Sequence, residues 1–263
     1  MNTVCIGSNV EAKTLDVLFF DLGNTLMYFD TSLDVVAAGA NRALYHKLAE
    51  FGINVSEPEF LRVFSEFTLQ SNRERSETLI EQPTVETLVR TLTYLGTRHY
   101  SDNQIRLGVD AYFSEYEDHW LLGDDTLPTL EGLKKRGYQL GIISNASDRE
   151  DVRRLMKKGS LDPYFDRVIV SAEEGVRKPH PGIFQKGLTA FRTSPDHCAM
   201  IGDTLSADIL GANQAGFTSV WITRWADTVE NRSLMKKVSP TARITQLGEL
   251  PSILKKRKKK AGG

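Results

Sequence analysis

From residue 123 onward the sequence alternates short apolar runs with amphipathic stretches, and this alternation limits the possible folds more than any other feature. A helix is expected over residues 127–136, capped by Gly137, and then a strand over residues 138–143 that stops at Ser144. Residues 148–158 read as a helix, 167–170 as a strand and 181–191 as a helix. A strand over 199–201 ends at Asp203, a helix over 206–215 is closed by Gly216, and 219–222 is another strand. A last short unit covers 243–254. Parallel strands need crossover connections, so this order predicts a parallel sheet flanked by helices. One further strand candidate, Val17-Leu18-Phe19-Phe20, lies far upstream and stops at Asp21. Its unbroken apolar run suits a strand buried on both faces.

Between that strand and the alternating region the pattern is helical. Val35, Val36, Leu44 and Leu48 recur at helix spacing up to Gly52. Phe60, Val63, Phe64 and Phe67 repeat the pattern, as do Leu88, Leu92 and Leu95, and a fourth helix is expected over 103–120. Four helices without an intervening strand read as a helical insert. The expected organisation is an α/β, Rossmann-like core of three α/β/α layers, residues 15–31 and 122–254, interrupted by a helical domain over 32–121. Residues 1–14 form an N-terminal extension, and 255–263 a basic tail read as disordered.

Charge and cysteine usage narrow the class. The net charge of −1 conceals six consecutive basic residues, Lys255 to Lys260, without which 34 acidic residues face 27 basic ones. The tail reads first as a solvated end, and nucleic acid is not an expected partner; contact with it or with an acidic surface stays open at the tail alone. No apolar run approaches the ~20 residues that span a bilayer, and residues 1–14 lack the order of a secretory signal. Cys5 and Cys198 are too few for a disulfide framework, so a cytoplasmic setting is expected.

Polar residues recur where the apolar strands stop: Asp21, Ser144 and Asp203. Ligands of open parallel sheets bind outside the carboxyl ends of the strands, so these residues are expected to face one crevice. Any one of them alone would read as a turn or helix cap; three together point to chemistry. A carboxylate can attack phosphorus and divide one hard step into two. Asp21, Asp203 and Asp208 can supply hard oxygen ligands to Mg²⁺, although an acid in a helix's first turn, as at Asp208, also suits the helix dipole. Ser144 with the backbone N–H groups of Asn145 and Ala146, ahead of a helix start, forms a natural anion cradle, unless Ser144 caps the helix in place of Asp148.

Four segments, in order, resemble the motifs of the haloacid dehalogenase superfamily. They are Asp21-Leu22-Gly23-Asn24-Thr25-Leu26, Ile142-Ile143-Ser144-Asn145, Lys178-Pro179 within residues 175–181, and Gly202-Asp203-Thr204-Leu205-Ser206-Ala207-Asp208. The helical insert sits where that family carries its C1-type cap. The resemblance implies a Mg²⁺-dependent phosphohydrolase acting on a small phosphorylated substrate through an aspartyl-phosphate. It implies Asp21 as nucleophile with Lys178 beside it, and Thr25, Ser144, Asn145 and Lys178 around the phosphoryl group. Asp21, Asp203, Asp208 and the carbonyl of Gly23 would hold the metal.

One position departs from the family. Its phosphatases carry a second Asp two residues after the nucleophile, where this chain has Gly23. General acid–base help is worth ~10²–10⁴-fold, so the absence matters. Three explanations compete: a substrate whose leaving group is stable as an anion, a substitute from the cap (His46, His99, His119, Glu77 or Glu81), or a phospholigand-binding protein without efficient turnover. A dehalogenase-like attack on carbon is a further alternative, against which the acids at Asp203 and Asp208 argue. An imine-forming relative would need a cap lysine, and Lys47 is the one lysine between residues 26 and 121. Arg73 and Arg75 are candidates for reading an anionic substrate group, against solvated helix charges as the plainer reading, and Trp120 is expected to pack.

Overall fold

The structure, a computed structural model, describes residues 15–254. The basic tail, the N-terminal extension and Cys5 lie outside the described residues. In chain order come β1 (Val17–Phe20), β2 (Met27–Phe29), α1 (Leu33–Glu50), α2 (Glu57–Thr78), α3 (Thr84–Tyr94), α4 (Asp102–Glu117) and β3 (Trp120–Leu122). Next are α5 (Thr126–Lys135), β4 (Gln139–Ser144), α6 (Arg149–Lys158), β5 (Arg167–Val170), α7 (Ser171–Glu174) and α8 (Pro181–Phe191). The chain closes with β6 (Cys198–Gly202), α9 (Leu210–Ala215), β7 (Thr218–Ile222), α10 (Val229–Leu234), β8 (Ala242–Ile244) and α11 (Leu250–Ile253).

Six strands form one parallel sheet in the order β5-β4-β1-β6-β7-β8. β1 is central and buried along its length, as its apolar run required. Its side chains alternate between two cores, as the pleat demands. Leu18 and Phe20 join Leu140, Ile142, Ala199 and Ile201 on one face. Phe19 joins Ile143, Met200, Phe184 and Phe217 on the other. The chain builds outward from β1 through β4 to β5, then crosses to β6 on the opposite side, so strand order reverses at β1. A crevice forms outside the carboxyl ends at such a reversal. Asp21, Ser144 and Asp203 follow or end the three strands around it.

Helices α1 to α4 hold a separate core, which includes Leu44, Leu48, Phe60, Phe64, Leu88 and Leu92. The chain enters and leaves this layer through an antiparallel ribbon, with Met27 opposite Leu122 and Phe29 opposite Trp120. The fourth helix ends at Glu117 rather than continuing to Trp120, which opens β3 instead. Strands of three residues are too short to carry a period-2 signal, so only the pairing reveals them. Residues of the helical layer also bind the sheet layer directly. Arg106 meets Asp148 at 2.6 Å, and the Thr84 N–H donates to Ser147 O at 3.0 Å.

The expected helix over 206–215 divides into a wide turn at Leu205–Ile209 and then α9. Side chains hold the start of the wide turn. Thr204 N–H donates to the Asp208 carboxylate at 2.9 Å, and Leu205 N–H to the Asn231 side chain at 2.8 Å. Thr204 O accepts from Asp208 N–H at 2.8 Å and also from Ile209 N–H, five residues on, at 3.4 Å, a widening frequent at functional sites. No helix among the described residues is long and apolar enough to cross a membrane. Cys198 is buried and free, at the start of β6.

Candidate active site

Lys178 lies in the loop between α7 and α8 and is completely enclosed, its side chain 1% exposed. A buried ammonium needs an acceptor for each of its three donors. It donates to Asp21 Oδ1 at 2.7 Å and to Ile143 O at 2.6 Å, and Asp208 Oδ1 forms an ion pair with it at 2.7 Å, outside hydrogen-bond geometry. Burial works against the charged amine, yet the carboxylates of Asp208 and Asp21 outweigh it and raise its pKa. The backbone of Lys178 is clamped as well. Asn145 accepts from Lys178 N–H at 2.7 Å and donates to Lys178 O at 2.9 Å. The Asn145 side chain therefore positions the lysine loop.

Asp21, Asp203 and Asp208 bring ligand oxygens within 4.8 Å of one another. Gly202 permits this. A Cβ there would fall 2.2 Å from the Asp208 carboxyl carbon, so only glycine lets Asp208 tuck against the end of β6. Asp203 is held from behind, its carbonyl accepting from Trp221 Nε1 at 2.8 Å and Asn231 Nδ2 at 2.9 Å. Burial first, then the charges of Asp208 and Asp21, push the Asp203 carboxyl well above its usual range. Burial raises Asp208 to about 6, with Lys178 opposing the shift. Three carboxylates around one ammonium leave an excess of buried negative charge. The hard-oxygen donors and this excess fit a small divalent cation.

Ser144 ends β4 and lines the crevice. It does not cap the following helix; Asp148 does so, accepting from Asp151 N–H at 2.9 Å. The expected cradle is corrected at Ala146, whose N–H donates to Ser171 Oγ at 3.0 Å and not to the crevice. Thr25, in the loop after β1, is buried outside the cavity lining, and its hydroxyl oxygen has no protein partner.

A cavity of about 1030 Å³ extends from these residues to the helical layer. Trp120 lines it, directly over Gly23: a Cβ on residue 23 would lie 2.9 Å from the indole Cη2. The ring is wedged against Phe29, with centroids 5.1 Å apart, and against the sheet core. The space of the family's second Asp is thus filled by an aromatic ring. Of the possible substitutes from the helical layer, His46, His99 and Glu77 are exposed and His119 pairs with Asp30 at 2.8 Å. None of the four lines the cavity. Glu81 is buried and accepts from Ser171 Oγ at 2.5 Å and Arg75 Nη1 at 3.0 Å. Arg73 is exposed, whereas Arg75 lines the cavity.

Sequence reasoning missed Asp151, whose carboxyl lines the same cavity with one oxygen buried and unpartnered. Burial raises its pKa to about 8; Arg154 opposes, while Glu117 and Asp148 add to the rise. Its place in a charged helix turn, Asp148-Arg149-Glu150-Asp151, gave no hint of burial.

A family model described as haloacid dehalogenase-like hydrolase matches residues 15–216. The chain is 32% identical over 209 residues to a glyceraldehyde 3-phosphate phosphatase of Pyrococcus furiosus, covering 80% of this chain and 81% of that one. It is 31% identical over 162 residues to the N-acylneuraminate-9-phosphatase of Mus musculus, covering 60% and 62%. Among solved structures, a 2-haloacid dehalogenase from Pseudomonas syringae matches with a TM-score of 0.65 at 25% identity, covering 92% of this chain and 98% of that one. A phosphatase from Thermococcus onnurineus matches with a TM-score of 0.61 at 24% identity over 92% and 99%, a likeness of fold.

Two outcomes are expected from this geometry. Gly23→Asp alone should destabilise the protein by about 1–3 kcal/mol through overpacking against Trp120. In a Trp120→Ala background that cost should largely vanish, as chemical denaturation of the four proteins of the cycle will measure; equal costs in both backgrounds would contradict the contact. Asp151 binds its proton more tightly folded than unfolded, so its contribution is present below pH ~4 and lost as pH rises through about 8. Asp151→Asn should therefore gain stability relative to wild type between pH 5 and 8, by at most ~1.4 kcal/mol per pH unit. A pH-independent difference in denaturation midpoints would contradict this.

Proposed function

The chain belongs to the haloacid dehalogenase-like hydrolases and is a phosphatase of that family, and we propose that it hydrolyses its phosphorylated metabolite through a covalent phosphoryl group on Asp21. The observation that carries the reading is the contact between the enclosed Lys178 ammonium and Asp21 at 2.7 Å, at the carboxyl end of the central strand. The ammonium holds one carboxylate oxygen and leaves the other to attack phosphorus.

In this mechanism the free Asp21 oxygen bonds to phosphorus as the bond to the leaving oxygen breaks, and the leaving group departs with the electron pair. Water then attacks the same phosphorus, the bond to Asp21 breaks, and carboxylate and inorganic phosphate are restored. Lys178 offsets charge and orients Asp21 throughout. Ser144 donates to a phosphoryl oxygen, while Asn145 acts indirectly by fixing the Lys178 backbone. Thr25 shapes the loop from beneath. Asp21, Asp203 and Asp208, with the Gly23 carbonyl, would hold Mg²⁺, which when bound neutralises phosphoryl charge. Helices α1 to α4 act as the cap that excludes water and reads the substrate.

Gly23 and Trp120 set the kind of substrate. With an indole in place of an acid, no side chain at residue 23 protonates the leaving oxygen. Turnover therefore favours leaving groups that are stable as anions. Attack on carbon needs no divalent cation, whereas Asp21, Asp203 and Asp208 gather oxygens that fit one, so phosphorus is the favoured centre.

Asp21→Asn is expected to lower phosphate release from a phosphate-ester panel by about 10³-fold or more. Release unaffected by the substitution would overturn the assignment. Millimolar Mg²⁺ should raise the melting temperature of wild type and not of Asp203→Asn, because a ligand that binds the folded state stabilises it. An equal rise in both proteins would remove the metal assignment.

A further inference from the structure

On the wall of the cavity, away from the carboxylate cluster, two guanidinium groups share one carboxylate. Arg75 Nη1 lies 3.0 Å from Glu81 Oε1, and Arg177 Nη1 lies 3.9 Å from Glu81 Oε2. Arg75 also donates to the Asn72 side chain. Both arginines line the cavity and are largely enclosed, with side chains 16% and 22% exposed. Glu81 has little capacity left, since it also accepts from Ser171 Oγ at 2.5 Å and from Gln82 N–H at 3.2 Å. Two cations against one anion leave a surplus positive charge in a partly desolvated wall. Arg75 Nε is buried without any acceptor. Burial lowers the Arg177 pKa, Arg75 adds to the fall, and Glu81 does not restore it. Each of these features costs free energy that an anionic ligand would offset.

The placement suits a substrate group. Arg177 directly precedes Lys178, so its Cα is ~3.8 Å from that of the residue beside the nucleophile. Its backbone is fixed to the end of α2, donating to Leu79 O at 3.1 Å. Arg75 approaches from α2 itself. We propose that Arg75 and Arg177 form a second anion subsite that recognises a carboxylate or a second phosphate carried by the substrate. This rests on the phosphohydrolase reading and specifies its substrate: a phosphorylated metabolite with a further acidic group. Planar guanidinium forks match either oxyanion in bidentate fashion. The core arginine and the cap arginine meet at Glu81, so the subsite completes only when the two layers are together.

The test uses the full-length Asp21→Asn protein with Mg²⁺, which retains both arginines. Calorimetric titration compares glycerol 3-phosphate, 3-phosphoglycerate, which adds a carboxylate, and propane-1,3-diol bisphosphate, which adds a phosphate. At least one of the latter two should bind about tenfold tighter than glycerol 3-phosphate or better. The arm that gains identifies the oxyanion. Arg177→Gln and Arg75→Gln should each erase that preference, and Arg177→Lys, which keeps charge without the fork, should retain part of it. Glycerol 3-phosphate binding as tightly as both others, or a preference that survives both glutamine substitutions, overturns the subsite and leaves the phosphohydrolase reading standing. No binding by any of the three overturns both.

Discussion

A lysine ammonium buried among carboxylates is the constraint on which the site depends. Removing a charge from water is costly, and Lys178 is tolerable in its position only because Asp21, Asp208 and Ile143 O all reach it. The contacts span distant segments. The Asp21 carboxylate comes from the end of β1, the Ile143 carbonyl from β4, Asp208 from the turn after β6, and the lysine from the loop before α8. Strand order places those ends side by side, so the sheet topology and the charge cluster require each other. The same enclosure that holds the lysine raises Asp203 and Asp208, leaving a site short of positive charge. A divalent cation is complementary to that deficit.

Much of this was legible in the sequence because the signals were strong and local. The β1 run Val17-Leu18-Phe19-Phe20 is apolar without a break, and Asp21 stops it. The alternation after residue 123 specified the parallel sheet. Signals that depend on three-dimensional context were not legible. Nothing local distinguished Arg75 from Arg73 on a mixed-charge helix, yet one lines the cavity and the other faces solvent. Asp151 looked like a helix-start acid and is an enclosed one. The ribbon β2–β3 is too short to carry a periodic pattern, and the partner of Leu205 N–H at the start of the wide turn, Asn231, is distant in sequence.

The glycine at residue 23 acquires a physical cause in the same way. As a sequence feature it was an absence. In the fold it is one half of a contact, since the ribbon register puts Trp120 opposite Phe29 and the indole over Gly23. Proton delivery from that position is replaced by an apolar wall. In the proposed reading the carboxylate cluster would handle phosphorus, and the pair of Arg75 and Arg177, elsewhere on the same cavity wall, would read the remainder of the substrate.

In the proposed reaction Asp21 itself carries the phosphoryl group. The most direct test is acid quenching during turnover of a phosphate ester, followed by mass spectrometry of the proteolysed chain. The account predicts a phosphoryl adduct on the peptide containing Asp21, at that carboxylate, which disappears in Asp21→Asn. Turnover with no adduct at Asp21, or with the phosphoryl group on another residue, would contradict it.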